Sequence, residues 1–141
     1  MTVTAQLAET DAEIAACFPV MQQLRPHLVA AEFVARVRAQ QRAGYSLAFI
    51  ADAGGVVAVA GLRLSDNLAW GRFLYVDDLV TSAARRSEGH GAALLAWLRD
   101  YAKQAGCAQL HLDSGFQRLD AHRFYEREGV AKTGFHFAQV L

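Results

Sequence analysis

The fold is decided by Leu79-Val80-Thr81-Ser82-Ala83-Ala84-Arg85-Arg86-Ser87-Glu88-Gly89-His90-Gly91-Ala92, where an apolar strand pattern runs through a turn into a helical one. Gly89 and Gly91 remove Cβ atoms where backbone N–H groups need to approach a ligand. The helix that follows presents N–H groups without intrahelical acceptors and the positive end of its dipole. Such a junction is an anion site. Arg85 and Arg86 add charge beside it, which makes a phosphate or pyrophosphate the natural guest. A Gly-x-Gly before a helix also fits a plain structural turn. The stretch matches neither GxxxxGK[ST], because it has no lysine, nor GxGxxG, because Ala93 and Leu94 follow Gly91. Walker-type hydrolysis and Rossmann dinucleotide binding are poor readings.

Downstream, Leu94, Leu95, Leu98, Ala102 and Ala105 share one helical face, and Gly106 stands where a left-handed residue closes a helix. Ala108 to Leu112 reads as a strand, Leu119 to Glu128 as a helix closed by Gly129, and Val130 to Val140 as a final strand. Upstream, Phe73 to Thr81 is the third strand of a meander whose first two, Tyr45 to Ala51 and Val56 to Leu64, join through Asp52-Ala53-Gly54-Gly55 as a hairpin. Two helices precede it. Ile14, Cys17, Phe18, Met21 and Leu24 recur at helical spacing from an Asp11 N-cap until Pro26, and Phe33, Val34 and Val37 mark Ala30 to Gln41. Thr2 to Leu7 alternates as a short first strand.

The order β-α-α-β-β-β-α-β-α-β predicts an α+β fold in α/β/α layers, with a mostly antiparallel sheet that becomes parallel at its middle. The chain has 141 residues, of which 53% are hydrophobic, 20% charged and only 13 Gly or Pro, and it fits a single domain over 1–141. Fourteen Lys and Arg balance fourteen Asp and Glu, so no global field draws it to nucleic acid or anionic membrane. Cys17 and Cys107 are too far apart for a metal or redox pair. No metal is expected. The N-terminus lacks a secretory pattern, and Tyr45 to Leu62 is interrupted by Ser46, Asp52 and Gly54-Gly55, which makes it a poor membrane span. A cytoplasmic protein is expected.

Arg86-Ser87-Glu88-Gly89-His90-Gly91 resembles the acetyl-CoA signature [QR]-x-x-G-x-[GA] of the GCN5-related N-acetyltransferase (GNAT) superfamily, with Leu94-Leu95 following as that family has them. Roughly 30 residues later, Ala121-His122-Arg123-Phe124-Tyr125-Glu126-Arg127-Glu128-Gly129 resembles its A-x-x-x-Y-E-x-x-G helix. The order of elements matches the family's fold over nearly the whole chain. The resemblance implies that the strand before the loop splays from its parallel neighbour and that Leu79, Val80 and Thr81 pair with the pantetheine arm of acetyl-CoA. It also implies that the amides of Ser87 to Ala92 hold the pyrophosphate. Arg118 stands where many members have a cofactor-binding Asn, and as an arginine it reaches for a phosphate; His122 joins the expected cofactor contacts. Gly129-Val130 replaces the usual Gly-Phe.

Acetyl transfer to an amine needs a neutral amine, a polarised thioester carbonyl and a proton for the departing thiolate. By the resemblance, Tyr125 supplies that proton, and a phenol with a reference pKa of about 10 is protonated at neutral pH. Without the motif, Tyr125 with Ala121 and Phe124 reads as helix packing. For the base, Asp78 and its neighbour Asp77 lie in an apolar strand, and Asp113 ends the next strand, where open α/β sheets place ligands. His122 and His136 are further imidazole candidates. The expected activity is direct transfer from acetyl-CoA to a primary amine of a small molecule or peptide. The rival reading is a non-catalytic acyl-CoA or phosphate-binding sensor. The N-terminal helices and the final strand, with Phe135, His136 and Phe137, are expected to select the amine. A missing seventh strand would leave a sheet edge compatible with a homodimer.

Overall fold

Thr10, one residue before the expected cap, opens the first helix. In this computed structural model, which describes residues 4–141, the Thr10 hydroxyl accepts from the Glu13 amide at 3.1 Å and the Glu13 carboxylate accepts from the Thr10 amide at 3.0 Å. This reciprocal box satisfies two backbone donors at the start of α1 (Asp11–Leu24) and leaves Asp11 to pair with Arg38. Ile14, Cys17, Val20 and Met21 form its buried stripe. α2 (Ala30–Arg42) buries Phe33 and Val37.

β1 (Ala5–Leu7), β2 (Tyr45–Asp52), β3 (Gly55–Asn67) and β4 (Gly71–Thr81) form an antiparallel meander, and the expected Thr2 and Val3 of the first strand lie outside the described residues. At the β2–β3 hairpin Asp52 faces Gly55 across Ala53-Gly54. The turn is held by the Gly54 amide donating to Asp52 Oδ1 at 2.9 Å, with Gly55 at φ +110°. Along β3 and β4, Gly61 faces Asp78 but Leu62 faces Val76, so Asp77 is the extra residue of a β-bulge. α3 (His90–Gln104) follows a 3-10 turn, Ala83–Arg85, and returns the chain to β5 (Gln109–Leu112) beside β4. The Ala108 amide donates to Arg72 O at 3.0 Å, so β5 starts beside the start of β4, and the sheet is mixed, as expected. A four-residue strand cannot pair along all of an eleven-residue one, so β5 leaves part of β4's outer edge unpaired.

Burial along β2 and β3 is nearly continuous, as a sheet covered on both faces requires. Tyr45, Leu47, Phe49 and Val59 join the core under α1 and α2. The alternate residues Ala48, Ile50, Ala58, Ala60 and Leu62 turn to the opposite face, where α3 contributes Leu94, Leu95, Leu98 and Ala102. These elements make up one compact unit, ending at His111; residues from Leu112 to Leu141 form a second.

In the second unit α4 (Leu119–Arg127) ends before Gly129 at φ +87°. The strand expected over 130–140 does not form, and every residue from 131 to 141 is exposed. Alternating Phe135 and Phe137 supplied the pattern, but a strand exists only where a neighbour takes up its backbone hydrogen bonds. Among the described residues, no helix is long and apolar enough to cross a membrane.

Candidate active site

β4 delivers Leu79, Val80 and Thr81, all half-buried, to the start of the loop. The chain then makes its 3-10 turn and passes through Ser87 at φ +67°, the only non-glycine residue with positive φ among those described. Gly89, at φ +86°, is the N-cap of α3 and supplies no side-chain cap. The first bond of the helix is Ala93 N–H to Gly89 O at 3.0 Å, so the amides of His90, Gly91 and Ala92 have no acceptor within the helix. No acidic side chain lies in that first turn to neutralise its dipole. This geometry fits an anion held by main-chain donors.

The side chains around the loop carry less positive charge than the sequence suggests. Arg85 turns onto two carboxylates. Its Nε lies 3.1 and 3.0 Å from the two Glu88 oxygens, its Nη1 3.3 Å from Asp52 Oδ1, and its Nη2 pairs with Asp52 Oδ2. Beside that guanidinium, the Asp52 and Glu88 carboxyls are both held below the usual carboxylate range, and Arg85 is raised in turn. His90, half-buried as the first residue of α3, places Nε2 3.3 Å from Glu88 Oε1. Arg86 is exposed and joins none of these pairs. The formal charges of Arg85, Arg86, Asp52 and Glu88 sum to zero, and the Arg85 guanidinium is engaged by both carboxylates. Three ties fasten the loop: Ser82 N–H to Val57 O at 2.8 Å, Ala83 N–H to Gln23 Oε1 at 2.8 Å, and the Arg85 pairs.

Asp78 belongs to a separate cluster at the bulge. Its Oδ1 accepts from Arg25 Nε at 2.9 Å and its Oδ2 from the Tyr45 hydroxyl at 3.0 Å. Adjacent strand residues ordinarily face opposite sides, but the bulge brings Asp77 to the same group, with Oδ2 2.9 Å from Arg63 Nε while Arg63 lies over the Tyr45 ring. Asp77 Oδ1 is buried without a hydrogen-bond partner. Burial, then the charge of Asp78, pushes the Tyr45 phenol well above its ordinary value. Gly61 makes the contact possible, since a Cβ there would lie 2.2 Å from the Tyr45 oxygen and 2.4 Å from Asp78 Oδ2. Arg25, Tyr45, Gly61, Arg63 and Asp52 carry no motif, and sequence reading missed them because their partners stand 14 to 53 positions away.

In the second unit Tyr125 is buried, and burial raises its phenol above the ordinary value against the opposing charge and hydrogen bond of Arg118. Arg118 stands at the N-cap of α4. His122 Nε2 lies 2.8 Å from Gly115 O, and Asp113 Oδ1 lies 3.6 Å from His136 Nδ1. The loop residues are thus brought together in the first unit, Tyr125 with Arg118 and Asp113 with His136 in the second.

The family model for the Acetyltransferase (GNAT) family matches residues 8–130. The chain belongs to the GNAT acetyltransferase family. An uncharacterized N-acetyltransferase of Bacillus subtilis, YhdJ, is 37% identical over 130 residues, spanning 92% of this chain and 89% of that protein. The aminoalkylphosphonate N-acetyltransferase of Salmonella typhimurium is 35% identical over 89 residues, 62% of this chain and 58% of that one. Among solved structures, a putative acetyltransferase of Agrobacterium tumefaciens superposes with a TM-score of 0.78 at 28% identity, covering 96% of this chain and 99% of that one. The aminoglycoside N-acetyltransferase AAC(6')-Iy, solved in complex with CoA, has the same fold at a TM-score of 0.83 and 11% identity, over 100% of this chain and 97% of that one. As a GNAT acetyltransferase, the protein is an acyltransferase.

Proposed function

We propose that this GNAT acetyltransferase moves the acetyl group of acetyl-CoA directly onto a primary amine of a small molecule, and that residues 1–141 act as one catalytic domain. The observation that carries the donor is the uncapped start of α3, entered through two left-handed positions, Ser87 and Gly89, on either side of Glu88. Its amides, with those of Ser87 and Glu88, take the pyrophosphate, and Leu79, Val80 and Thr81 offer backbone groups to the pantetheine arm. The family match from 8 to 130 crosses both units, which supports one domain. Arg118 and His122 are assigned to the cofactor on the motif alone.

In the reaction the neutral amine nitrogen attacks the thioester carbonyl, a C–N bond forms, and the C–S bond breaks. The Tyr125 phenol gives its proton to the departing thiolate, and its burial suits this, because a phenol raised above its ordinary value is wholly protonated at neutral pH. The amine's proton leaves to a carboxylate, with Asp78 and Asp113 as the candidates; both Asp78 oxygens already accept hydrogen bonds, so it receives a proton through water or with rearrangement of Arg25. An acetyl-cysteine intermediate is disfavoured. Cys17 is fully buried in α1 with its thiol pushed up to about 12, and Cys107 lies in the turn between α3 and β5. Two free thiols also suit a reducing cytoplasm.

A small-molecule amine is favoured over a peptide because the Salmonella typhimurium relative is named for an aminoalkylphosphonate, and another relative, of Serratia marcescens and 32% identical over 59 residues, is named for an aminoglycoside. A panel of aminoalkylphosphonates, aminoglycosides, polyamines and peptide N-termini, assayed for CoA thiol release, tests this. Turnover with peptides alone would reverse the preference, and CoA binding without any turnover would favour a sensor.

A further inference from the structure

We infer that Asp52, at the tip of the β2–β3 hairpin and outside every acetyl-CoA motif, is a positioning residue for the pyrophosphate loop, acting through Arg85. The inference rests on the proposed binding of acetyl-CoA at the start of α3. Arg85 directs four donor contacts at Glu88 and Asp52 within 3.3 Å, besides its closest pair with Asp52 Oδ2. A guanidinium has five N–H donors in one plane, so a fork engaged on two sides by carboxylates has little left for a phosphate. Its geometry is that of a strut. One end is Glu88, between the two left-handed residues Ser87 and Gly89 that aim the loop amides. The other is Asp52, itself fixed by the Gly54 amide at 2.9 Å.

The pair is partly sheltered, with the Arg85 and Asp52 side chains 32% and 22% exposed, and it joins the 3-10 turn after β4 to the end of β2. Ser82 and Ala83 are tied by neutral hydrogen bonds to Val57 and Gln23, whereas Glu88 is tied to β2 through Arg85 and Asp52 and to α3 through His90. Without it, Glu88 loses its link to β2, and its neighbour Ser87 is freer to leave φ +67°, a conformation that costs a non-glycine residue free energy. The loop then relaxes, and its amides no longer converge.

The test measures CoA affinity by calorimetry, and turnover with acetyl-CoA and with S-acetylpantetheine, which lacks the pyrophosphate, for the wild type, Asp52→Asn, Asp52→Ser and Asp52→Glu. Asn and Ser keep an acceptor for the Gly54 amide but lose the charge. The expected result is CoA affinity roughly tenfold weaker in both, a matching rise in KM for acetyl-CoA, unchanged kcat/KM with S-acetylpantetheine, and substantial recovery in Asp52→Glu. Tighter CoA binding in Asp52→Asn would mean that Arg85 is itself the phosphate ligand and would overturn the inference. Equal losses with both donors would reduce Asp52 to a structural residue, and unchanged affinity would remove its role. If Asp52→Asn does not fold, Asp52→Ser carries the same comparison. Absence of CoA binding in the wild type would instead sink the proposed function, and this inference with it.

Discussion

At the residue scale two groups answer to burial in different ways. The acid role of Tyr125 is proposed from its motif, and burial, which raises its phenol above the ordinary value, suits that proposal. Tyr125→Phe is expected to lower kcat by about 10²- to 10⁴-fold with little change in KM for acetyl-CoA, measured by steady-state kinetics; an unchanged kcat would remove the acid assignment. Its raised phenol also places loss of the acid above pH ~10 in the kcat profile. Tyr45, by contrast, has no motif, and only the fold reveals that its hydroxyl crosses Gly61 to reach Asp78. Gly61→Ala puts a methyl inside two van der Waals radii of backbone-anchored side chains, so it is expected to destabilise the protein by about 1–3 kcal/mol in urea unfolding. Stability equal to wild type would show that Tyr45 and Asp78 part without cost. Asp77 and Asp78 show where local reading fails: alternation on a strand assigns neighbouring residues to opposite faces, but the bulge at Asp77 breaks that rule, and a one-residue slip in pairing has no sequence signature.

Among elements, periodicity served the helices well because each buries one stripe, as the α3 residues Leu94, Leu95, Leu98 and Ala102 do, and Gly106 closes it at φ +80° as expected. The strand over 130–140 failed for the opposite reason, because alternation describes a face but cannot supply the neighbour that completes its hydrogen bonds. At the loop, sequence gave the glycines and the arginines but not the carboxylate that engages Arg85 from 33 positions away. Gly89→Ala tests the loop directly. No atom obstructs a Cβ there, so the cost is the left-handed φ of +86° alone, about 1–2 kcal/mol, and CoA affinity is expected to fall with it. A variant as stable as wild type in thermal unfolding and as tight for CoA would contradict the geometry. The ion pairs give a second check with a definite sign. Asp52 and Glu88 have folded values below their ordinary 3.8 and 4.5, so their stabilisation is present above those values and is lost as pH falls through the lower folded ones. Urea midpoints are expected to drop over that acid window in the wild type and more shallowly in Asp52→Asn; parallel curves would mean that the pair contributes nothing.

For the molecule as a whole, a formal net charge of zero forecast that any polyanion has to be caught locally, and the structure narrows the means further. Arg85 beside the loop is engaged by Asp52 and Glu88, so the proposed pyrophosphate site rests chiefly on main-chain donors at the start of α3. Such binding depends less on ionic strength than a cluster of free arginines would, because oriented amides carry no mobile counterions to release. The family, the mixed sheet and the acyltransferase class agree between sequence, structure and relatives; the donor and the amine are the steps proposed here. The most direct test of the central claim incubates the protein with acetyl-CoA and each amine of the panel, following free CoA thiol and acetylated product together. The account predicts equal amounts of both, formed only when an amine is present and strongly reduced in Tyr125→Phe. Thiol release that needs no amine, or no acetylated product with any amine while acetyl-CoA binds, would contradict it.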